Sequence, residues 1–507
     1  MQRTKQSFYN VIVAITTNVI ILLTAFLVQR ILLSTLGPDY NGINGLFTSI
    51  ISMMSLTDLG IGSAIIYHLY RPAAEDNHNT INALLRFYRN SYVVISVIVL
   101  FIGAVLILFI PRLVGKIQIQ DDIYFIFILF LIDCLCSYFL SYKKSLLCAY
   151  QMNYVLDGIH FVYYIFQNAA QIFVLLFFRS YIIFLVLKII SKWVENVSIS
   201  YYIRKKYSFT KERHIYPLDK EIKCDIIKKV KALLFHRLGS LFVTGSDSLV
   251  ITGILGIFQM NLYTNYHLIL GGLTGLLNKV FETLTSSVGN FLLDSSPKRR
   301  QEIYSNIDFL NFWFFGCCTV VLYTVLQPII ILWVGETYLL PKLTVFMLSL
   351  NFYIQGMRES ILTFKDAAGI YHQDRFVPLF EALINVVCSI ALAGKIGMTG
   401  VFVGTIVSSG VVYLYSYPKY VCGPLFHMGY LKYQWQTFQH LGITIGTMLA
   451  VDRILTLVHP SNLWVCVFLA CCISTVLFHL CLLAFYGRSS QVHYYKDVVK
   501  RILLKRE

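Results

Sequence analysis

LGPDYNGINGLFTSIISMMSLTDLGIGSAIIYHLYRP, residues 36–72, decides how the rest of the chain is read. A Gly/Pro/Asp/Asn turn leads into a long apolar segment that carries one carboxylate, Asp58, and closes on Gly60, Gly62, His68 and Arg71. If the segment spans a membrane, a charge within it is expensive and marks a functional position.

Composition outside the stretch supports a bilayer. Soluble domains carry about 25% charged residues, whereas this chain of 507 residues has 13%, with 57% hydrophobic residues and a mean hydropathy of +0.66. Apolar segments recur from Phe8 to Tyr486, each close to the roughly 20 residues that cross hydrocarbon. The net charge of +16 could suggest a nucleic-acid partner, but its distribution argues otherwise. With the amino terminus inside, roughly 31 Lys and Arg fall in cytoplasmic loops and roughly 7 in external ones, which is the positive-inside asymmetry. No basic groove interleaved with aromatics stands apart from it. The twelve cysteines lie mostly in apolar segments without a C-x-x-C pair, and read as small packing residues. The first apolar segment is too long for a signal-peptide core and is expected to be retained.

The reading is an all-α polytopic membrane protein of about fourteen transmembrane helices. Six spans (8–33, one within 36–72, 91–110, 123–147, 155–178 and 181–203) form an amino-terminal lobe, 1–205. A basic cytoplasmic loop, 206–231, follows, with RKK (204–206) at its start and KKVK within it. A second six-helix lobe, 232–421, holds spans 232–255, 261–293, 309–333, 343–363, 376–393 and 399–418. Two extra spans (438–458 and 463–486) occupy 422–486, and a basic amphipathic tail, 487–507, is suited to an anionic inner leaflet. STLG ahead of Tyr40 echoes TGILG ahead of Tyr263, a weak sign of two lobes in parallel pseudo-twofold repeat.

Two segments resemble a known family. Leu36, Gly37, Tyr40, Gly42 to Phe47, Leu56 to Ala64, Leu69, Tyr70 and Pro72 match an LGxxYxGINGLF...LSLTDLGIGSAIxxxLYxP pattern of Wzx-type oligosaccharide flippases. GSDSLVITGILGIFQMNLYTNYHLIL, residues 245–270, is similar to an Asp-containing segment of the same flippases. This polysaccharide transporter family belongs to the superfamily of multidrug extruders and lipid II flippases. The resemblance implies two six-helix lobes with alternating access, and as substrate an O-antigen or capsular oligosaccharide on undecaprenyl pyrophosphate.

Such cargo needs a polar path, because glycan hydroxyls and a pyrophosphate are costly to bring into hydrocarbon. Lys188, Lys192 and Glu195 fall at i, i+4 and i+7, on one charged helix face. Lys188 and Lys192 are therefore candidates for the pyrophosphate, with Arg237, Lys279 and Arg30 as further cavity cations; snorkelling to headgroups is the plain alternative. Asp58, Asp247, Glu282 and Glu195 are candidates for gating or for coupling to a proton or sodium gradient. Glu195 is expected to pair with Lys192 or Lys188, and Glu282 with Lys279. His160, Gln167 and Gln171 share a second polar face. No cofactor is expected and no P-loop motif is present.

The expected partners are lipid-linked oligosaccharide, membrane lipids and glycan polymerase machinery; the expected state is a monomer in the bacterial cytoplasmic membrane with both termini inside. Three other readings stay open: a lipid II flippase, a drug or ion antiporter of the same superfamily, and a membrane glycan polymerase or ligase. The last would need a large external loop, and here the external connections are short.

Overall fold

A computed structural model describes residues 2–55, 61–115, 117–212, 217–370, 373–458 and 462–504. Within its helices, the side chains of 2–15, 63, 232–238, 240–241, 244, 282–283, 286–287, 290, 293–294, 499 and 501–504 are outside the description. The protein is all-α and crosses the membrane many times. Nine helices among the described residues are long and apolar enough to span a bilayer.

The first compact unit runs from Met1 to Thr264. It contains α1 (Gln2–Leu36), α2 (Pro38–Met54), α3 (Ile61–Ala74), α4 (His78–Ile107), the short α5 (Ile110–Val114), α6 (Ile123–Tyr138), α7 (Lys144–Ala149), α8 (Asn153–Phe177), α9 (Tyr181–Lys206) and α10 (Lys220–Val250). Helix α11 (Ile257–Asp294) begins in this unit and ends in the second, Asn265–Glu507. The second unit continues with α12 (Pro297–Trp333), α13 (Lys342–Ala368), α14 (Val377–Ile396), α15 (Met398–Val411), α16 (Gly423–Phe426), α17 (Tyr430–Val458), α18 (Leu463–Tyr486) and α19 (Ser490–Leu504).

Three features depart from the sequence expectations. Residues 206–231, expected as a cytoplasmic loop, and the interval between the spans expected within 36–72 and at 91–110 are largely helical where described, because polar caps start α10 and α4 early. Asn77 Oδ1 accepts from Thr80 N at 3.1 Å and Asp219 Oδ1 from Glu221 N at 3.0 Å. Span 123–147 is also broken: α6 stops at Tyr138, and Leu140 adopts a left-handed φ of 59° before α7. Finally, the span expected within 36–72 comprises α2 and α3 on either side of residues 56–60.

The repeat legible as LG has a local counterpart. Gly37 and Gly256 both have φ of 93°, and each precedes a helix, α2 and α11 respectively. A side chain is strained in this conformation, which explains a glycine at both places.

Within the first unit, α2 lies hard against α10 and the start of α11. A Cβ on Gly42 would stand 2.6 Å from the Ile257 carbonyl oxygen, and one on Gly245 would collide with Met53. That closeness lets Asn41 Nδ2 donate to Asn261 Oδ1 at 2.8 Å, with both residues fully buried, and brings Ser49 and Ser248 hydroxyls to 2.9 Å. On the other side of α2, Phe47 meets Phe127 and Phe130 edge to face, at 5.1 and 5.6 Å. At its far end the unit ties α3 to α10: His68 lies 3.0 Å and Lys229 2.9 Å from Asp225, and the Lys229 bond holds the exposed Asp225 carboxyl below its ordinary range.

In the second unit, α12 supplies the fully buried Phe312 and Phe315, and a Cβ on Gly356 of α13 would clash with Phe315. The α14–α15 hairpin turns at Gly397 (φ 63°), and Gly404 packs on Ser389.

Gly42→Ala is expected to destabilise the protein by about 1–3 kcal/mol through overpacking against a backbone oxygen. Gly158→Ala on α8, where an added Cβ meets nothing within 4 Å, is expected to be neutral or slightly stabilising. Thermal unfolding of the two variants in one detergent checks this; equal midpoints would contradict the α2 contact.

Candidate functional site

Helix α9 organises the polar chemistry of the first unit. Its apolar residues alternate with a stripe of Lys188, Lys192, Glu195, Asn196 and Ser200, one turn or so apart along one side. This stripe faces α6, α7 and α8 rather than lipid.

Asp133 of α6 receives both lysines. Lys192 Nζ is 2.7 Å from Oδ1 and Lys188 Nζ 3.3 Å from Oδ2, and Lys192 also donates to the Asp133 carbonyl at 3.2 Å. The carboxylate is nearly buried, at 8% exposure, while the lysines keep 30 and 31%. One negative charge between two positive ones leaves a net charge of +1 that part-faces open space. Lys188 also lies 5.3 Å from the Phe130 ring centre, a favourable distance for a cation over an aromatic face.

One turn further on, Glu195 pairs with Lys144 of α7 at 3.3 Å and with His160 of α8 at 3.2 Å. This corrects the expectation that Glu195 pairs with Lys192 or Lys188. Those lysines are taken by Asp133, and the break after Tyr138 swings Lys144 within reach. The open end of α6 is closed by the same stripe: Asn196 Nδ2 donates to the Cys136 carbonyl at 2.9 Å, one of the acceptors a helix end leaves unpaired. The polar face expected on span five also packs here. His160 meets Glu195, and Gln171 donates to the Phe184 carbonyl of α9 at 3.0 Å.

The other sequence-proposed residues are not gathered into this seam. Arg30 is exposed near the end of α1, and Lys279 is exposed on α11. Asp247 is buried in α10, at 4% exposure, beside the Ser49–Ser248 contact. Asp58 lies outside the described residues, as do the side chains of Arg237 and Glu282, and with Glu282 its expected pairing with Lys279.

The second unit holds charge clusters that the sequence reading missed. Arg358 of α13 grips both oxygens of Glu381 on α14 and donates to Ser409 Oγ of α15 at 2.8 Å. Lys365 pairs with Asp374, both almost wholly buried. A cavity of 200 Å³ is lined by Tyr304, Tyr353, Tyr413 and Gln434, with Asp308 and His440 3.7 Å apart on its lining. Asp308 also accepts from Ser360 at 2.7 Å, and His440 stacks on Phe312 at 4.2 Å. An arginine inside a span is itself a signal of function or pairing, and Arg358 could have been singled out on that ground. Among the described residues, no group of three or more His, Cys, Asp or Glu is arranged to hold a metal ion.

Neither a family model nor a curated protein matches the sequence. Solved structures do match the fold. The lipid II flippase MurJ, in an inward closed conformation, superposes with a TM-score of 0.64 at 12% identity, over 94% of this chain and 98% of that one. An inward-facing multidrug resistance MATE family transporter of the MOP superfamily gives 0.57 at 12% identity, over 84% and 99%. MATE in complex with MaL6 gives 0.53 at 13% identity, over 85% and 95%. The chain thus has the fold shared by a lipid flippase and by MATE transporters.

Proposed function

We propose that the chain is a transporter of the MOP superfamily, and within it a Wzx-type flippase. It would carry undecaprenyl-pyrophosphate-linked oligosaccharide, of O-antigen or capsule type, across the bacterial cytoplasmic membrane by alternating access. The observation that carries the flippase reading is the match to MurJ, which takes in 94% of this chain against 84% for the MATE transporter. The difference is roughly 50 residues, about the length of two spans. An oligosaccharide cargo in place of lipid II rests on the two resembling segments, 36–72 and 245–270. A lipid II substrate is the second reading, favoured by the same match.

Lys188 and Lys192 are the proposed contacts for the pyrophosphate, with Asp133 holding them on one face and leaving one positive charge over. Lysine suits this role as a point charge. Arg30, Arg237 and Lys279 stand as further cations along the path. Asp58, Asp247, Glu282 and Glu195 are the proposed gating or coupling groups for a proton or sodium gradient; Glu195 is held by Lys144 and His160. Both termini are proposed to be cytoplasmic and the working unit a monomer, alongside glycan polymerase machinery.

Removing the chain from its host tests the reading. Undecaprenyl-linked oligosaccharide is expected to accumulate on the inner face while surface polysaccharide is lost; accumulation of lipid II instead would favour the second substrate. Unchanged pools and surface glycan, in a strain without a redundant transporter, would reject both.

At the seam, Lys188→Ala with Lys192→Ala is expected to abolish export while membrane insertion is kept, with thermal stability lowered because Asp133 loses both its cations. Asp133→Asn is expected to lower stability by about 1–3 kcal/mol, because the nearly buried carboxylate charge between two ammonium groups is lost, yet to retain measurable export. If the double lysine variant exports normally, the pyrophosphate contact is wrong.

A further inference from the structure

A second basic site lies in the first unit, where α4 begins and α9 ends. A cavity of 580 Å³ is lined there by Arg86 and Arg89 of α4, Lys143 at the α6–α7 break, Arg204 in the last turn of α9, and Lys211 and Glu212 beyond it. The volume lies within the ~300–1,000 Å³ typical of small-ligand pockets. Five cations face one carboxylate.

Snorkelling explains Arg86, Arg89, Arg204 and Lys211, which are exposed. It does not explain Lys143, which is 5% exposed. Its ammonium donates to Ser200 Oγ at 2.5 Å, and no described carboxylate lies within 4.0 Å of it. A buried ammonium held by one hydroxyl and lying 5.9 Å from the Tyr142 ring centre meets no full negative charge among the described residues. The one acid of the cavity, Glu212, is exposed and accepts only a long 3.5 Å contact from Asn82.

The rim is also fixed in place. Asn82 Nδ2 donates to the Phe209 carbonyl at 2.9 Å, and the Phe209 ring stacks on His78 at 4.0 Å. These contacts fasten the turn Ser208–Lys211, whose Thr210 and Lys211 line the cavity.

We propose that this cavity binds a phosphate-class anion carried on a lipid: the diphosphate of a polyprenyl carrier or the phosphodiester of an anionic phospholipid headgroup. Lys143 supplies the buried charge, and Arg86, Arg89 and Arg204 close on the oxygens from the rim. The site shares no residue with the Lys188–Lys192 seam, so it stands whether or not the seam contacts cargo.

The test uses the purified full chain in phosphatidylcholine nanodiscs, titrated calorimetrically with inorganic pyrophosphate and, separately, with dihexanoyl phosphatidylglycerol. At least one probe is expected to bind saturably and to weaken with added salt. Affinity is expected to fall about tenfold or more in Lys143→Met, and likewise in the combined Arg86→Gln, Arg89→Gln, Arg204→Gln variant. That combined variant changes only exposed side chains and covers the case in which Lys143→Met fails to fold. Lys432→Gln, an exposed control on α17, is expected to bind as wild type. Tighter pyrophosphate binding identifies the carrier, and tighter phosphatidylglycerol binding identifies the bulk lipid. The proposal is overturned if neither probe binds, if the Lys143 and arginine variants bind as wild type, or if binding is lost only in Lys188→Ala with Lys192→Ala.

Discussion

A charge inside hydrocarbon has to meet its opposite by direct contact, and that requirement fixes how the helices of each unit are held together. Lipid tails are as apolar as leucine, so apolar side chains alone do not choose helix partners in a bilayer; small residues and polar contacts do. In the first unit Asp133 sets α6 against α9 through two lysines, and Glu195 sets α9 against both α7 and α8. In the second, Arg358 joins α13 to α14 and α15 through Glu381 and Ser409. Each cluster specifies a register, because a shift of one residue would turn the charge by about 100° toward lipid.

Close approach supplies the other half of the specificity. Gly42 and Gly245 remove side chains where α2 meets α10 and the first turn of α11, and the space gained is used by Asn41–Asn261 and Ser49–Ser248. A buried amide with no partner is expensive, so the glycines and the asparagines depend on each other: without close approach the hydrogen bond fails, and without the bond the polar group destabilises the contact. The two segments that carry the family resemblance are the two that meet here, which gives their shared sequence pattern a packing reason.

The spans were legible because hydrophobic length is a one-dimensional property, and α8, α14 and α18 fall close to their expected places. Helix ends were less so. Hydropathy reports where a segment leaves the bilayer, whereas α4 and α10 begin at caps well outside it. Pairing was the least legible. Spacing along α9 put Lys188, Lys192 and Glu195 on one face, which the structure bears out, but it offered Glu195 only partners from its own helix. Lys144 reaches it because the chain turns at Leu140, a leucine with positive φ that no propensity marks. Asp133 falls within the expected span 123–147, yet nothing local connects it to lysines more than fifty positions away.

The stripe on α9 carries a consequence for any anionic cargo. Lys188 and Lys192 stand near its middle, Ser200 holds the buried Lys143, and Arg204 ends it at the second basic cavity. From 188 to 204 is about 24 Å of helix, far longer than a diphosphate, so one headgroup cannot occupy both clusters at once. Between them lies Glu195, already paired with Lys144 and in contact with His160. An anion passing along this face would therefore leave one positive site before reaching the next without meeting an uncompensated carboxylate. If both clusters bind phosphate, they act in sequence, and the pairing of Glu195 keeps the interval between them from becoming an electrostatic barrier.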